Sequence, residues 1–240
     1  MESNRFALGG KLAGIGLAVV LTAAFFSGTS DAARQPVPEP RLDAPKNGGL
    51  QSAVFAGGCF WGVEAVFEHV QGVTNAVSGY AGGKPANPSY EQVSSGETGH
   101  AESVRVTWDP KQVSYGQLLQ VFFSVAHDPT QLNRQGPDHG TQYRSAIFYS
   151  DAQQQRIAAA YIAQMREAGT FGKAPIVTQL QPLAKFYPAE GYHQDFARLN
   201  PTHPYIVVHD APKVARLKER YPALYRPQWT VQLAGAPVKG

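Results

Sequence analysis

The stretch QSAVFAGGCFWGVEAVFEHV, residues 51–70, joins a strand pattern to a helix pattern at one cysteine. Residues 51–56 form a short, largely apolar run that ends at two glycines, which predicts a strand. A helix of about three turns is predicted next, because apolar side chains recur at three- and four-residue spacing, at Phe60, Val63, Val66, Phe67 and Val70. Cys59 is therefore expected at a strand-to-helix junction.

This position gives Cys59 the properties of a nucleophile. A cysteine in the first turn of a helix lies near unpaired backbone N–H groups and the positive end of the helix dipole, which stabilise a thiolate. We therefore expect a lowered pKa for Cys59. The alternative is a buried structural thiol, since free cysteine is among the most buried residues. The pair Phe60-Trp61 favours the nucleophile, because two consecutive helical residues face different ways and at least one is expected to line a cleft.

The rest of the chain alternates strand and helix patterns without a strict βαβ rhythm. Strands are predicted at residues 73–80, 101–108, 144–149 and 177–183, and helices at 114–126, 151–168 and 213–221. Ser114 and Asp151 are expected to cap the first two of these helices. The fold class is therefore α+β, a two-layer sandwich of helices on a mixed or antiparallel sheet, resembling a ferredoxin-like plait with long loops at 127–142 and 187–207.

Composition excludes several classes of protein. The 240 residues are 43% hydrophobic and 16% charged, as in a soluble globular protein. The net charge of +3 is small and its basic residues are dispersed, so we expect no nucleic-acid partner. Nothing indicates an obligate assembly, and a monomer is expected.

The chain begins with the pattern of an export signal. Arg5 and Lys11 precede an apolar run at residues 12–26, and small residues follow to position 33. We predict a signal peptide at 1–33, a proline-rich linker at 34–50, a catalytic domain at 51–226 and a flexible C-terminal tail at 227–240. The domain is then exported, in the periplasm, the alternative being a retained membrane anchor with the domain outside the cytoplasm.

The single cysteine and the histidines limit the metal chemistry. His127, His139 and His193 do not have the spacing of a standard ligand set, and the only thiol is Cys59. We therefore expect neither a metal nor a cofactor.

Several blocks of the sequence resemble a known family. They are GGCFWGVE at 57–64, GYAGG at 79–83, NPSYEQV at 87–93, GETGHAE at 96–102, HDP at 127–129, RQGPDHGTQYRS at 134–145, FYPAE at 186–190 and YHQ at 192–194. Their order over residues 54–204 is similar to that of the peptide methionine sulfoxide reductase A family. The resemblance implies an enzyme that reduces the S epimer of methionine sulfoxide, free or in proteins, and so repairs oxidised proteins.

The same resemblance implies a role for two residues at the centre of the reaction. Cys59 matches the nucleophile that attacks the sulfoxide sulfur, and Glu102 matches the acid that protonates the sulfoxide oxygen. A Glu in an apolar pocket can stay protonated near neutral pH. The attack leaves a sulfenic acid on Cys59. Its local context alone favours a different interpretation, in which Glu102 is the polar-face residue of an alternating strand at 101–106.

Five further residues match family positions. Tyr90 and Tyr143 match phenols that donate hydrogen bonds to the oxygen, and Asp138 matches a carboxylate that organises the site. Phe60 and Trp61 match the aromatic walls that hold the methyl group of the substrate. Local context alone allows a helix cap at Tyr90, an ordinary strand aromatic at Tyr143 and a turn former at Asp138.

The chain departs from many members of the family in one respect. They carry further cysteines towards the C-terminus that reduce the sulfenic acid, and residues 200–240 contain none. The expected partners are therefore oxidised methionine and an external thiol, either a thioredoxin-like protein or a small thiol. Two rival hypotheses stay open: a thiol acyl-transferase or hydrolase with His100, His127 or His193 as base, and a non-enzymatic envelope protein.

Overall fold

The structure, a computed structural model, describes Met1 and residues 37–230. Within this part of the chain the secondary structure alternates between short strands and helices. The strands are β1 Gln51–Gly57, β2 Val73–Ala81, β3 Ala101–Trp108, β4 Arg134–Gln135, β5 Asp138–His139, β6 Ser145–Tyr149, β7 Gln179–Pro182 and β8 Phe186–Pro188. The helices are α1 Phe60–Glu68, α2 Tyr90–Ser94, α3 Tyr115–Val121, α4 Ala152–Glu167, α5 Phe196–Leu199 and α6 Ala211–Arg220.

Six of the strands form one mixed sheet in the order β7-β6-β1-β3-β2-β8. Strands β6 and β7 pair in parallel, and the other neighbours pair antiparallel. The four central strands, with α1 between β1 and β2 and α3 between β3 and β6, have the strand order and connections of a ferredoxin-like plait. The α+β class and the mixed sheet expected from the sequence are confirmed.

The main hydrophobic core lies between one face of the sheet and helices α1, α3 and α4. On β1 the side chains alternate, so that Phe55 faces these helices and Val54 faces a smaller cluster on the opposite face. Phe55 stacks on Phe67 of α1 with ring centroids 5.1 Å apart, and its ring lies 5.1 Å from that of Phe122. This packing fixes the start of α1 against the end of β1, where Cys59 is located.

Helix caps fix two of the other boundaries. Ser114 caps α3 in a reciprocal capping box with Gln117, and the Asp151 side chain accepts a hydrogen bond from the backbone of Gln154 at the start of α4. The single helix predicted at 114–126 is wrong in its second half. The α-helix ends at Val121 and continues as a π-helical segment, Phe122–Ala126. A wider turn of this kind is not visible in a three- and four-residue apolar spacing.

The segment 37–44, predicted to be part of a linker, packs on the domain. Val37 is buried, and the backbone oxygens of Pro38 and Glu39 accept hydrogen bonds from Tyr161 and Gln164 of α4. The segment has no regular secondary structure, as expected of a proline-rich stretch. Because side chains of α4 donate hydrogen bonds to its backbone oxygens, the segment is nevertheless held against the domain.

The residues after α6 also pack on the domain as far as they are described. Trp229 lies over the ring of His69, with centroids 4.2 Å apart, and the Thr230 side chain donates to the carbonyl of Glu68. Contacts with the end of α1 therefore hold these two residues, and the flexible tail at 227–240 stays a prediction. The predicted signal peptide, residues 1–33, lies outside the described residues apart from Met1, and so does the tail beyond residue 230. None of the helices in the described part is long and apolar enough to span a bilayer.

Candidate active site

Cys59 is the residue that links β1 to α1. It occupies the N-cap position of α1 with φ −50° and ψ 122°, and only 9% of its surface is exposed. The preceding Gly58 has φ +92°, and a Cβ there would lie 2.5 Å from the side chain of Gln135. Glycine at 58 therefore allows both the left-handed backbone and the close contact with β4. The predicted strand-to-helix junction is where the structure places the thiol.

Glu102 is brought to Cys59 by the backbone of the helix start. It lies on β3 with 2% of its surface exposed, and the Phe60 N–H donates to its Oε2 at 3.0 Å. Burial raises the pKa of Glu102 to about 8, against the smaller lowering effect of the Phe60 hydrogen bond. The carboxyl therefore carries a proton at neutral pH, which a proton donor to a sulfoxide oxygen requires.

The pKa of Cys59 differs from the expectation based on its helix position. Burial raises the pKa well above the ordinary thiol value, and the charges of Glu102 and Asp210 raise it further. A backbone hydrogen bond from Trp61 and the charge of Lys213 lower it to a smaller extent. The predicted depression is therefore wrong, because loss of hydration outweighs the helix-end contribution. The buried sulfur is therefore a neutral thiol at neutral pH.

Two tyrosines complete the polar side of the site. Tyr90 is the first residue of α2, and Tyr143 ends the 3₁₀ turn Thr141–Tyr143. Burial raises the pKa of both phenols, and the charges of Glu102 and Cys59 raise it further. Both hydroxyls therefore keep their protons and can donate hydrogen bonds to an oxygen held between them and Cys59.

Asp138 has a partner that sequence reasoning missed. It lies on β5, in the hairpin with β4, and accepts a hydrogen bond from the hydroxyl of Tyr205. Burial raises the pKa of Tyr205, and the nearby charges of Cys59 and Asp138 raise it further. Tyr205 therefore belongs to the site, and it ties the loop of Asp138 to the segment before α6.

The aromatic pair after Cys59 packs against other aromatic rings. Phe60 is buried, with its ring 5.0 Å from His193 and 5.9 Å from Tyr80. Trp61 is half-buried and stacks on Phe196 of α5 with ring centroids 3.7 Å apart and planes 9° apart. Trp61 also donates from Nε1 to His193 Nδ1 at 3.2 Å. Phe196 and His193 therefore hold Trp61 in place.

The three histidines considered as a base for Cys59 have other roles. Both ring nitrogens of His100 are bonded, to the Gly83 N–H and the Pro85 carbonyl, and both of His127 are bonded, to the Phe122 carbonyl and the Thr178 hydroxyl. His193 accepts at Nδ1, so its ring hydrogen is on Nε2 and no lone pair is left for a proton from Cys59. The geometry thus disfavours the acyl-transferase or hydrolase hypothesis.

Four residues at or beside the site were not predicted, namely Phe196, Tyr205, Asp210 and Lys213. They come from the segment between α5 and the start of α6. No local pattern marks them, and only their position at or just after the last similar block could have pointed to them. Across residues 37–230 no group of three His, Cys, Asp or Glu side chains is placed to hold a metal ion.

Comparisons with known proteins identify the family. The family model described as peptide methionine sulfoxide reductase matches residues 51–224. A protein of Mesorhizobium japonicum called peptide methionine sulfoxide reductase MsrA 2 is 60% identical over 184 residues, which cover 77% of this chain and 94% of that protein. A protein of the same description from Synechocystis is 49% identical, over 86% of this chain and 96% of its own length.

Solved structures give the same result for the fold. Methionine sulfoxide reductase A of Corynebacterium diphtheriae superimposes with a TM-score of 0.58 at 36% identity, covering 70% of this chain and 84% of that one. Mxr1 from Saccharomyces cerevisiae in reduced form gives a TM-score of 0.59 at 32% identity, covering 68% and 92%. The family match spans the residues that build the site around Cys59 and Glu102. The chain belongs to the peptide methionine sulfoxide reductase family.

Proposed function

We propose that the chain reduces the S epimer of methionine sulfoxide, free or in proteins, through a sulfenic acid on Cys59 that an external thiol removes. The observation that carries this proposal is the hydrogen bond from the N–H of Phe60, the residue after Cys59, to the buried carboxyl of Glu102, whose pKa burial raises to about 8. The nucleophilic sulfur of Cys59 and the proton donor, Glu102, therefore both lie at the start of α1. Reduction of a sulfoxide needs both of them at once.

The electron balance assigns a role to each group. The sulfur of Cys59 attacks and bonds to the sulfoxide sulfur while Glu102 gives its proton to the oxygen, whose developing negative charge the phenols of Tyr90 and Tyr143 stabilise. The proton of the Cys59 thiol passes to the carboxylate formed on Glu102, so Glu102 ends the step protonated. The oxygen then moves to Cys59. The substrate sulfur is reduced by two electrons to methionine, and the Cys59 sulfur is oxidised by two electrons to a sulfenic acid. Phe60 and Trp61 provide an apolar wall for the methyl group of the substrate.

Regeneration requires thiols from outside the chain. The chain contains one cysteine, so an internal disulfide cannot form. Two external thiols reduce the sulfenic acid: the first forms a mixed disulfide with Cys59 and releases water, and the second releases the Cys59 thiol and a disulfide. We propose a thioredoxin-like protein or a small thiol in this role.

Turnover of both epimers of a methionine sulfoxide peptide with dithiothreitol tests the activity. We expect the full chain to convert the S epimer only, and Cys59→Ser to convert neither. A variant remote from the site, Lys111→Met, serves as the control and is expected to match the wild type. Turnover of both epimers at equal rates, or normal turnover by Cys59→Ser, contradicts the proposal.

Mass spectrometry tests the intermediate. With stoichiometric substrate and no reductant, the Cys59 peptide is expected to gain one oxygen atom. A disulfide-linked dimer as the sole product contradicts the sulfenic acid cycle.

We further propose that the protein is exported to the periplasm after removal of residues 1–33, with the catalytic domain at 51–226. The charged start, the short apolar run and the small residues before position 34 support this proposal. N-terminal sequencing of protein recovered from the periplasm tests it. An intact N-terminus in the membrane fraction indicates a retained anchor, and recovery from the cytoplasm contradicts export.

A further inference from the structure

An ion pair from the C-terminal part of the chain lies beside the start of α1. Asp210 ends the π-helical segment Ile206–Asp210, and Lys213 lies in the first turn of α6. Lys213 Nζ is 3.2 Å from Asp210 Oδ1, and the Asp210 side chain is fully buried (0% exposed). Neither residue is part of the chemistry proposed above.

Gly62 shows how closely this pair approaches the nucleophile's helix. Gly62 is the third residue of α1, whose N-cap is Cys59. A Cβ at this position would lie 2.0 Å from Asp210 Oδ1 and 2.8 Å from Lys213 Nζ. The pair can occupy this place only because position 62 has no side chain. Two opposite charges therefore lie against the turn that follows Cys59.

Asp210 does not have the local role that its position suggests. It is the N-cap residue of α6, where an Asp side chain ordinarily accepts a hydrogen bond from the helix backbone, yet it makes no such bond. Its Oδ2 has no hydrogen-bond partner among the described residues. A buried carboxylate with one unpaired oxygen is costly to the fold. This cost makes Asp210 a candidate for a role in function rather than in capping.

The charges around Cys59 come from several elements. Glu102 faces it from β3, and Asp210 and Lys213 face it from the chain before and within α6. The phenols of Tyr90, Tyr143 and Tyr205 interact electrostatically with it from α2, from the 3₁₀ turn and from the residue before the π-helical segment. Glu102 and Asp210 raise the pKa of Cys59, whereas Lys213 lowers it.

We propose that Asp210 and Lys213 are positioning residues for the reaction at Cys59: Lys213 favours the anionic sulfur and Asp210 the neutral thiol. The pair thereby sets how readily the thiol becomes the attacking thiolate. This inference rests on the proposed function, because it assigns Cys59 the role of nucleophile. It gives the C-terminal segment, which has no second cysteine, an electrostatic part in the reaction.

The rate at which iodoacetamide alkylates Cys59 in the full chain, measured from pH 6 to 11, tests the inference. A single charge near a titrating group moves its pKa by about one unit or more, which is about tenfold in thiolate. We expect Lys213→Met to slow alkylation at pH 8 by about tenfold. Asp210→Asn is expected to accelerate it by about the same factor, and Lys213→Arg to stay close to wild type.

The opposite directions of the two expected changes in alkylation rate distinguish this electrostatic role from a structural one. If the pair only holds α1 in place, both variants loosen the helix start and change alkylation in the same direction, which contradicts the inference, as does no change in either variant. Arg198→Met removes the cation of another i,i+3 pair, Asp195–Arg198, and is expected to leave the profile unchanged. A cooperative thermal transition confirms folding, and Lys213→Gln or Asp210→Ser replaces a variant that fails to fold.

Turnover measured on the same samples keeps this inference separate from the proposed function. We expect kcat to change with the alkylation rate while KM stays within about twofold. Absence of methionine sulfoxide turnover in the wild type refutes the proposed function. If the wild type is active but the alkylation profiles of Lys213→Met and Asp210→Asn do not differ from each other, only the role of the ion pair is refuted.

Discussion

Glu102→Gln tests the central acid with little change in shape. The amide oxygen can still accept the hydrogen bond from the Phe60 N–H, now 3.0 Å from the carboxyl oxygen, and the amide N–H₂ replaces the carboxyl O–H as a donor. Glutamine cannot transfer a proton to the sulfoxide oxygen. We therefore expect the rate of the first turnover to fall by about 10²- to 10⁴-fold, measured as methionine formed per enzyme in rapid-quench experiments.

The same substitution should stabilise the fold at alkaline pH. The pKa of Glu102 is about 8 in the folded protein and 4.5 as its ordinary value, a difference worth about 5 kcal/mol at 1.36 kcal/mol per pH unit. Below pH 4.5 both folded and unfolded chains hold the proton. Between pH 4.5 and 8 only the folded chain holds it, so the wild type loses stability with rising pH, and the loss is complete above pH 8. Glutamine does not titrate.

Urea unfolding of wild type and Glu102→Gln at pH 5 and pH 9 measures this difference. We expect the free energy of unfolding of the variant, relative to that of the wild type, to be several kcal/mol higher at pH 9 than at pH 5. Glu167→Gln, on the exposed end of α4, is the matched control and is expected to follow the wild type. Parallel free energies at both pH values, or full activity in Glu102→Gln, refute the assignment of a protonated acid.

Three further predictions follow from contacts around the site and the core. Trp61→Phe should keep a stacked ring but remove the donor to His193 Nδ1, which we expect to raise KM about tenfold with a smaller change in kcat, in steady-state assays. Asp43→Ala should remove the acceptor for the Gly116 N–H, 2.7 Å away at the start of α3, and lower the free energy of unfolding by about 1 kcal/mol without changing kcat/KM. Burial raises the pKa of Glu64 to about 8, so Glu64→Gln should gain stability relative to wild type between pH 5 and pH 9 in urea titrations.

Local patterns in the sequence predict much of the scaffold. The strand Ala101–Trp108 has the predicted bounds, and Ser114 and Asp151 cap the helices that they were expected to cap. These features depend on residues a few positions apart, so periodicity and capping chemistry contain the necessary information. The start of α1 after Cys59 was predicted for the same reason.

Tertiary burial is the part that the sequence did not predict. The helix position of Cys59 is a local property, but the removal of water from its sulfur depends on distant residues, and this effect reverses the direction of the pKa change. Tyr205 and Asp210 lie far from Cys59 along the chain, with no periodic pattern to connect them to it. Their contribution becomes visible only when the segment before α6 is placed against α1.

The neutral state of the buried Cys59 thiol protects an enzyme that depends on one sulfur. Peroxide and other oxidants react with thiolates, and repeated oxidation ends in sulfinic and sulfonic acids that ordinary thiols do not reduce. A buried, protonated Cys59 reacts slowly with such oxidants. The nucleophile is thereby spared in the conditions that oxidise methionine, and the chain can stay intact while it repairs other proteins.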